Sequence, residues 1–240
     1  MQKRRRPMTE VPHIPAPWNL TGRGYIILYR FTKQEIAQDP FLSDQFKNNF
    51  AGGFGSLMVV DYQESNAGPY QELLFIPGKF QFAGKKLQHI SRIFVSTQRS
   101  VINGRRNWAI PKEQADFHFR PLDDREEEVM VQRNGEGVFQ GTFKVHPLLF
   151  PVNTVVFPYR LVQLQEHKAY YTRFTGKGWG RLAHVKEIRV NPTQFPGLAE
   201  KKPLAAIAVQ PFTITFPPAV TEDLAMDQFP IYQEQFYSNQ

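Results

Sequence analysis

Lys112 is the side chain of this 240-residue sequence best placed for covalent chemistry. It ends the stretch GRRNWAIPK (104–112), in which Pro111 fixes the backbone directly before it. Trp108 and Ile110 supply apolar surface beside it, and removing water from a lysine favours its neutral amine over the ammonium ion. Because the neutral amine is the form that attacks carbonyl carbon, the stretch predicts a lysine that forms imines.

Positive charge and aromatic rings near Lys112 are the expected means of keeping its amine neutral. The candidates are Arg105, Arg106, Trp108, Phe117 and Phe119. Gly104 is expected to let the backbone turn before the lysine, and a strand is expected to begin at Ala115. Glu113 follows Lys112, and because adjacent strand residues point to opposite faces, its carboxylate is expected to point away.

The spacing of the other reactive residues does not favour metal or hydrolase chemistry. The chain has no cysteine, which excludes disulfides, thiolate ligands and a cysteine nucleophile. The stretch GKGWGR (176–181) lacks the spacing of a phosphate-binding loop, and no G-x-S-x-G motif occurs. The histidines, none at a ligand spacing from another, are His13, His89, His118, His146, His167 and His184. We therefore expect no metal site.

Short apolar segments dominate the chain and predict a mainly β fold. Nine or more segments rich in Val, Ile, Phe and Tyr are bounded by Gly, Pro, Asn or Asp. In VMVQRNGEGVFQGTFKV (129–145), Asn134 and Gly135 begin the connection of a hairpin. The segment KQEIAQDPFL (33–42) predicts a short helix ended by Asp39 and Pro40. We expect an antiparallel β-barrel or sandwich with few short helices and one apolar pocket around Lys112.

The chain is expected to form one β domain with an extension at each end. Residues 1–18 form a basic, proline-containing lead-in, residues 19–220 the β domain, and residues 221–240 a tail docked on the body or on a neighbouring subunit. The run 3–6 carries four of the net +7 charges, so we interpret it as a solvated tail rather than a nucleic-acid site. We expect no membrane span, and the lack of cysteine favours the cytoplasm.

Two motifs around Lys112 resemble those of the acetoacetate decarboxylase family. The family's mark is Gly-Arg, five residues and then Pro-Lys, which Gly104 to Lys112 reproduces. The family also carries Tyr-x-Glu, matched here by Tyr70 and Glu72 in GPYQE. In GRGYIILYRF, Arg23 stands one residue out of register with the family's carboxylate-binding arginine. The resemblance extends from about Arg23 to Phe119.

The resemblance implies an acetoacetate decarboxylase-like barrel, a homo-oligomer and a lyase without metal or organic cofactor. Lys112 would form a Schiff base with a β-keto acid, and loss of CO2 would leave a ketone. Glu72 would position groups or shuttle protons, and Arg23 would bind the substrate carboxylate. The further substrate-binding candidates are Arg105, Trp108 and Tyr70.

Two departures from the family's pattern leave other functions open. The decarboxylases carry a second lysine where this chain has Glu113, and another active-site carboxylate at a position that falls near Leu57. The latter change predicts a more apolar pocket. The alternatives are an aldolase or dehydratase that uses the same imine, and a non-catalytic binding protein for a small apolar ligand.

Overall fold

The computed structural model describes residues 11–156, 158–198 and 200–224, and these form a mainly β structure with three short helices. The helices are α1 (Lys33–Ala37), α2 (Asp44–Asn48) and α3 (Gln98–Trp108). The strands are β1 (Trp18–Arg30), β2 (Phe54–Glu64), β3 (Tyr70–Ile76), β4 (Lys79–Phe82), β5 (Lys85–Gln88), β6 (Arg92–Val95), β7 (Glu113–Gln114), β8 (Asp116–Pro121), β9 (Glu126–Arg133), β10 (Glu136–Asn153), β11 (Leu161–Gln165), β12 (Lys168–Thr172), β13 (Thr175–Val190), β14 (Ala205–Phe216) and β15 (Val220–Asp223).

Ten strands form the main sheet, in the order β7-β6-β3-β2-β1-β14-β13-β10-β9-β8. All neighbours in it are antiparallel except β6 and β7. Its two edge strands, β7 and β8, are separated in the chain by one residue, Ala115. The edges must therefore meet, and the sheet curls into a nearly closed barrel, as predicted.

A second sheet of five strands, in the order β15-β12-β11-β5-β4, packs with α1 and α2 around its own apolar core. Phe46 and Phe80 lie in this core, and His89 stacks on Phe46 with ring centroids 3.8 Å apart. Thr32 and Glu35 form a capping box at the start of α1, which explains why this polar segment is helical.

The central strands β2 and β3 of the main sheet are buried on both faces. On β3, Tyr70 and Leu74 belong to one core, whereas Leu73 and Phe75 belong to the other. We call these the site face and the opposite face. The opposite face is the barrel interior, where Phe195 contacts rings from both halves of the sheet. The site face is covered by α3 and by residues of the lead-in.

The structure corrects the prediction of a turn at Gly104, which lies inside α3. Thr97 begins this helix by accepting a hydrogen bond from the Ser100 N–H at 3.3 Å. Ala109 ends it with a left-handed φ of 53°. Gly104 is required there for close approach, since a Cβ atom at this position would lie 2.6 Å from Cδ of Lys112.

The described part of the lead-in, residues 11–17, lies along α3. The amide of Asn103 accepts from the Ile14 N–H at 2.7 Å and donates to the Pro12 carbonyl at 3.1 Å. The hairpin between β9 and β10 is confirmed, with positive φ at Asn134 and Gly135. Within the described ranges, no helix has the length and apolar character to cross a membrane.

At the other end of the domain, β15 pairs with β12, so the first residues assigned to the tail belong to the second sheet. The basic run at 3–6 and the tail beyond 224 lie outside the described residues.

Candidate active site

Lys112 lies between the main sheet and α3, with 3% of its surface exposed. Its Nζ atom lies 2.8 Å from Glu72 Oε2, 3.1 Å from Ser100 Oγ and 3.5 Å from the Tyr70 hydroxyl. Its aliphatic stem passes against Gly104. Three parts of the chain therefore meet at one amine: β3 supplies the acid and the phenol, α3 supplies the serine hydroxyl, and the residue directly before β7 is the lysine.

Glu72 connects the amine to a second phenol. Its side chain lies on the site face with only 5% of the residue exposed, and its Oε1 accepts from the Tyr62 hydroxyl at 3.3 Å. Burial and, secondarily, the charge of Glu72 raise the pKa values of Tyr62 and Tyr70 well above their usual range. Both phenols are therefore protonated near neutral pH and can donate hydrogen bonds.

The Lys112–Glu72 ion pair is buried at both ends, with side-chain exposures of 4% and 7%. Desolvating two charges costs several kcal/mol each, and an apolar pair of similar volume is often at least as stable. A contribution to stability therefore does not explain why this pair is buried. A role in chemistry at the Lys112 amine does explain it.

Ser100 is a site residue that was not predicted from the sequence. It is fully buried, and it stands four residues before Gly104 on α3, so both face Lys112 across one helical turn. A helical interpretation of QRSVINGRRNW would have placed these two small residues on one face. The sequence pattern instead predicted a turn at Gly104 and no helix in this segment.

The structure places Arg23 on the opposite face of the sheet from Lys112. The guanidinium of Arg23 lies 2.8 Å from Glu127 and 3.3 Å from Asp61. Asp61 pairs with Gln71, the residue directly before Glu72 on β3, so the two rows of side chains point in opposite directions. Arg23 is not placed to bind the carboxylate of a substrate held on Lys112, which corrects the prediction for this residue.

The predicted surroundings of the Lys112 amine are also corrected. Arg105 and Arg106 are exposed, and Arg105 Nε donates to the backbone carbonyl of Lys112 at 2.8 Å rather than facing the amine. The nearest contacts of Nζ are polar, not apolar as predicted. The other side chains expected to shape its pocket, which pack on the opposite face, are Phe117, Phe119 and Leu57.

Of the three rings predicted to form apolar surface around Lys112, which are Trp108, Phe117 and Phe119, only Trp108 lies on the site face. It is buried, its Nε1 donates to the Pro217 carbonyl at 2.8 Å, and it packs edge-on against Trp18 at a centroid distance of 5.0 Å. It thus belongs to the aromatic core beside the site. Two cavities, of ≈ 50 Å³ beside Arg23 and ≈ 280 Å³ beside Phe139, are not lined by Lys112.

Glu113 points away from Lys112, as predicted from strand alternation. Its carboxylate pairs with Arg92 and, at 2.7 Å, with Arg133. Because Arg92 is largely buried, this cluster fixes β7 on the sheet directly after the lysine. The acidic residue therefore supports the backbone of the site and does not contact its amine.

Several solved structures have the same fold as this chain. Acetoacetate decarboxylase from Legionella pneumophila superposes with a TM-score of 0.66 at 11% identity, over 90% of this chain and 92% of that one. An acetoacetate decarboxylase-like enzyme from Sphingomonas wittichii RW1 gives 0.64 at 12% identity, over 88% and 94%. The enduracididine biosynthesis enzyme MppR, complexed with the condensation product of pyruvate and imidazole 4-carboxaldehyde, gives 0.57 at 14% identity, over 88% and 90%. At these identities the similarity shows the fold alone.

For the first two thirds of the chain, the sequence itself identifies a protein family. A search of curated proteins finds no match. The family model described as acetoacetate decarboxylase matches residues 2–155, which include Lys112, Glu72 and Ser100. This match spans more than half of the 240 residues, so the chain belongs to the acetoacetate decarboxylase family.

Proposed function

We propose that this protein is an enzyme that forms an imine between Lys112 and a carbonyl substrate. The observation that carries the proposal is the contact of 2.8 Å between a buried lysine amine and a buried carboxylate, Glu72, in a chain of this family. Such a pair holds the nucleophile and its proton acceptor in one place before the substrate arrives.

In the proposed first step, Glu72 accepts a proton from the Lys112 ammonium, and the neutral amine attacks the carbonyl carbon. A C–N bond forms, and a proton passes from the amine nitrogen to the carbonyl oxygen to give a carbinolamine. Protonated Glu72 then returns its proton to this oxygen. Ser100 and Tyr70 lie 3.1 and 3.5 Å from Nζ, so their hydroxyls can donate to this oxygen as it leaves as water. The products are a protonated imine and the Glu72 carboxylate, so the total charge is unchanged.

The protonated imine can then accept an electron pair from an adjacent bond. If the substrate is a β-keto acid, the pair comes from the C–C bond broken as CO2 leaves; the enamine that remains is protonated and the imine is hydrolysed. Decarboxylation is the reaction that the family resemblance implies for this chain.

An aldolase or dehydratase reaction is the second candidate, and the position of Arg23 favours it. In an aldolase reaction the enamine attacks a second carbonyl carbon instead of taking a proton, so this reaction, unlike decarboxylation, does not itself require a carboxylate on the substrate. Arg23, the residue predicted to bind a substrate carboxylate, is paired with Glu127 on the opposite face. MppR, with the same fold, is described in complex with a condensation product.

Borohydride reduction tests the proposal because it converts an imine into a stable secondary amine. The protein is incubated with a panel of ketones, aldehydes and keto acids, reduced and analysed by peptide mass spectrometry. We expect a substrate-derived mass on Lys112, its loss in Lys112→Ala, and no change in Lys86→Ala, which alters an exposed lysine. CO2 release separates decarboxylation from aldol chemistry. Absence of an adduct, with ligand binding unchanged in Lys112→Ala, would instead indicate a binding protein.

A further inference from the structure

The charge of the site is balanced before any substrate binds. The Lys112 ammonium and the Glu72 carboxylate lie 2.8 Å apart, and the other groups that contact this pair are the hydroxyls of Ser100, Tyr70 and Tyr62. A protonated imine keeps the positive charge of Lys112. An uncharged carbonyl compound therefore leaves the site neutral, whereas a keto acid adds one negative charge beside Glu72.

Four arginines near the site bind other groups, and Arg99 and Arg106 are exposed on α3. Arg23 binds Glu127 and Asp61 on the opposite face, and Arg105 is exposed and donates to a backbone carbonyl. Arg92 and Arg133 both bind Glu113, which points away from the amine. None of these guanidinium groups contacts Nζ or Glu72, so none offsets a second carboxylate there.

The hydroxyl groups of the site suit an uncharged carbonyl. Tyr62 and Tyr70 remain protonated because their pKa values are raised by burial and by Glu72. Protonated phenols and the Ser100 hydroxyl can donate to a ketone or aldehyde oxygen without adding charge. Trp108 and Trp18 border the same core with apolar rings.

From this arrangement we infer that the site takes uncharged ketones or aldehydes in preference to keto acids. The inference rests on the proposed imine at Lys112 and specifies its substrate class. The imine cation is already paired with Glu72, so a substrate carboxylate would be buried without a cation of its own, which costs several kcal/mol and disfavours the keto acid by a factor on the order of 100. Glu72 is thus a residue that determines specificity as well as the proton acceptor.

The test compares two probes of equal size that differ in charge. Acetoacetate and 2,4-pentanedione share a methyl ketone, and a carboxylate oxygen in the first is a methyl group in the second. Methyl acetoacetate serves as an uncharged ester of the first. The initial rate of adduct formation on Lys112 is measured by mass spectrometry, with and without borohydride, and divided by the rate on the exposed Lys85 in the same sample. This ratio removes the intrinsic reactivity of each probe.

We expect the ratio to be about 100-fold higher for 2,4-pentanedione than for acetoacetate, with the methyl ester close to the diketone. In Glu72→Gln, the difference between the probes should shrink to less than about tenfold, because the imine cation has lost its partner and can pair with the substrate carboxylate. Glu64→Gln, which removes an exposed acid at the end of β2, should leave the difference unchanged.

The outcomes distinguish the two proposals. Equal or faster labelling of Lys112 by acetoacetate would overturn the inference about substrate charge and leave the imine chemistry intact. A difference between the probes that persists in Glu72→Gln would also overturn it, because the selectivity would then not come from this charge. No labelling of Lys112 above Lys85 by any of the three probes would overturn the proposed function itself.

Discussion

Replacing Gly104 by alanine tests whether α3 determines the position of the Lys112 amine. An added Cβ atom would lie 2.6 Å from Cδ and 2.8 Å from Cε of Lys112, well inside van der Waals contact. These atoms are in the middle of the lysine side chain, so about 1 Å of movement is needed to restore normal contact. Such a shift of the stem would carry Nζ away from Glu72, which it contacts at 2.8 Å.

The two energetic effects of Gly104→Ala oppose each other, so stability and reactivity are expected to separate. Alanine is better than glycine inside a helix by about 1 kcal/mol, whereas overpacking a core costs about 1–3 kcal/mol. We expect the free energy of unfolding to fall by no more than about 2 kcal/mol. Misplacement of a reacting group by about 1 Å lowers its rate by about 100-fold, so labelling of Lys112 should fall by a comparable factor.

Urea denaturation and carbonyl labelling of the same samples check both expectations. Gly137→Ala is the matched control, because a Cβ atom at that position meets no atom within 4 Å. Gly137→Ala should leave both the urea midpoint and the rate of carbonyl labelling of Lys112 nearly unchanged. If Gly104→Ala is folded and labels Lys112 as fast as the natural protein, the amine is not held by this contact and the reasoning about the site is refuted.

Three further predictions concern the groups that support the site. Glu113→Ala leaves Arg92 largely buried without its carboxylate partner, so the free energy of unfolding should fall by about 1–3 kcal/mol in urea, while the preference of Lys112 between charged and uncharged probes stays the same. Asn103→Ala removes two hydrogen bonds to the lead-in, and limited proteolysis within residues 11–17 should become faster, whereas Ile102→Ala on the outer side of α3 should not change it. Burial lowers the pKa of His89 from 6.5 to about 4, so the unfolded chain binds its proton more readily. Stability should therefore fall as the pH drops from 6.5 towards 4, by up to about 3 kcal/mol from this group, and the urea midpoint of His89→Gln should fall less over that range.

Much of the barrel could be predicted from the sequence because its strands alternate between two buried faces or end at clear turn residues. Asn134 and Gly135 adopt the positive φ that their hairpin requires, and β9 and β10 follow from the flanking pattern. The helix α3 could not be predicted in the same way. Gly104 favours a turn when only neighbouring residues are considered, and its actual role depends on Lys112, eight positions later, packing against it.

Some residues of the candidate site could be predicted from local sequence patterns, whereas others depend on how the chain packs. Lys112, Glu72 and Tyr70 were found because their spacing matches a family motif, and they meet in the structure. Ser100 was missed because its position depends on the helix. Trp108 was predicted to supply apolar surface beside Lys112, and it packs in the core on the same face of the sheet.

Arg23 shows how a small difference in register changes the chemistry of a site. It stands one residue away from the position that would match the family's arginine, and in a strand a displacement of one residue moves a side chain to the other face of the sheet. The β1 ladder does contain bulges around this point, between Thr21 and Gly22 on one side and between Gly22 and Gly24 on the other. Arg23 nevertheless points into the barrel, where Glu127 binds it at 2.8 Å. If the proposed imine forms on Lys112, its substrate lies beside Glu72 without that guanidinium, and we therefore expect this single register position to change which carbonyl compounds the lysine favours.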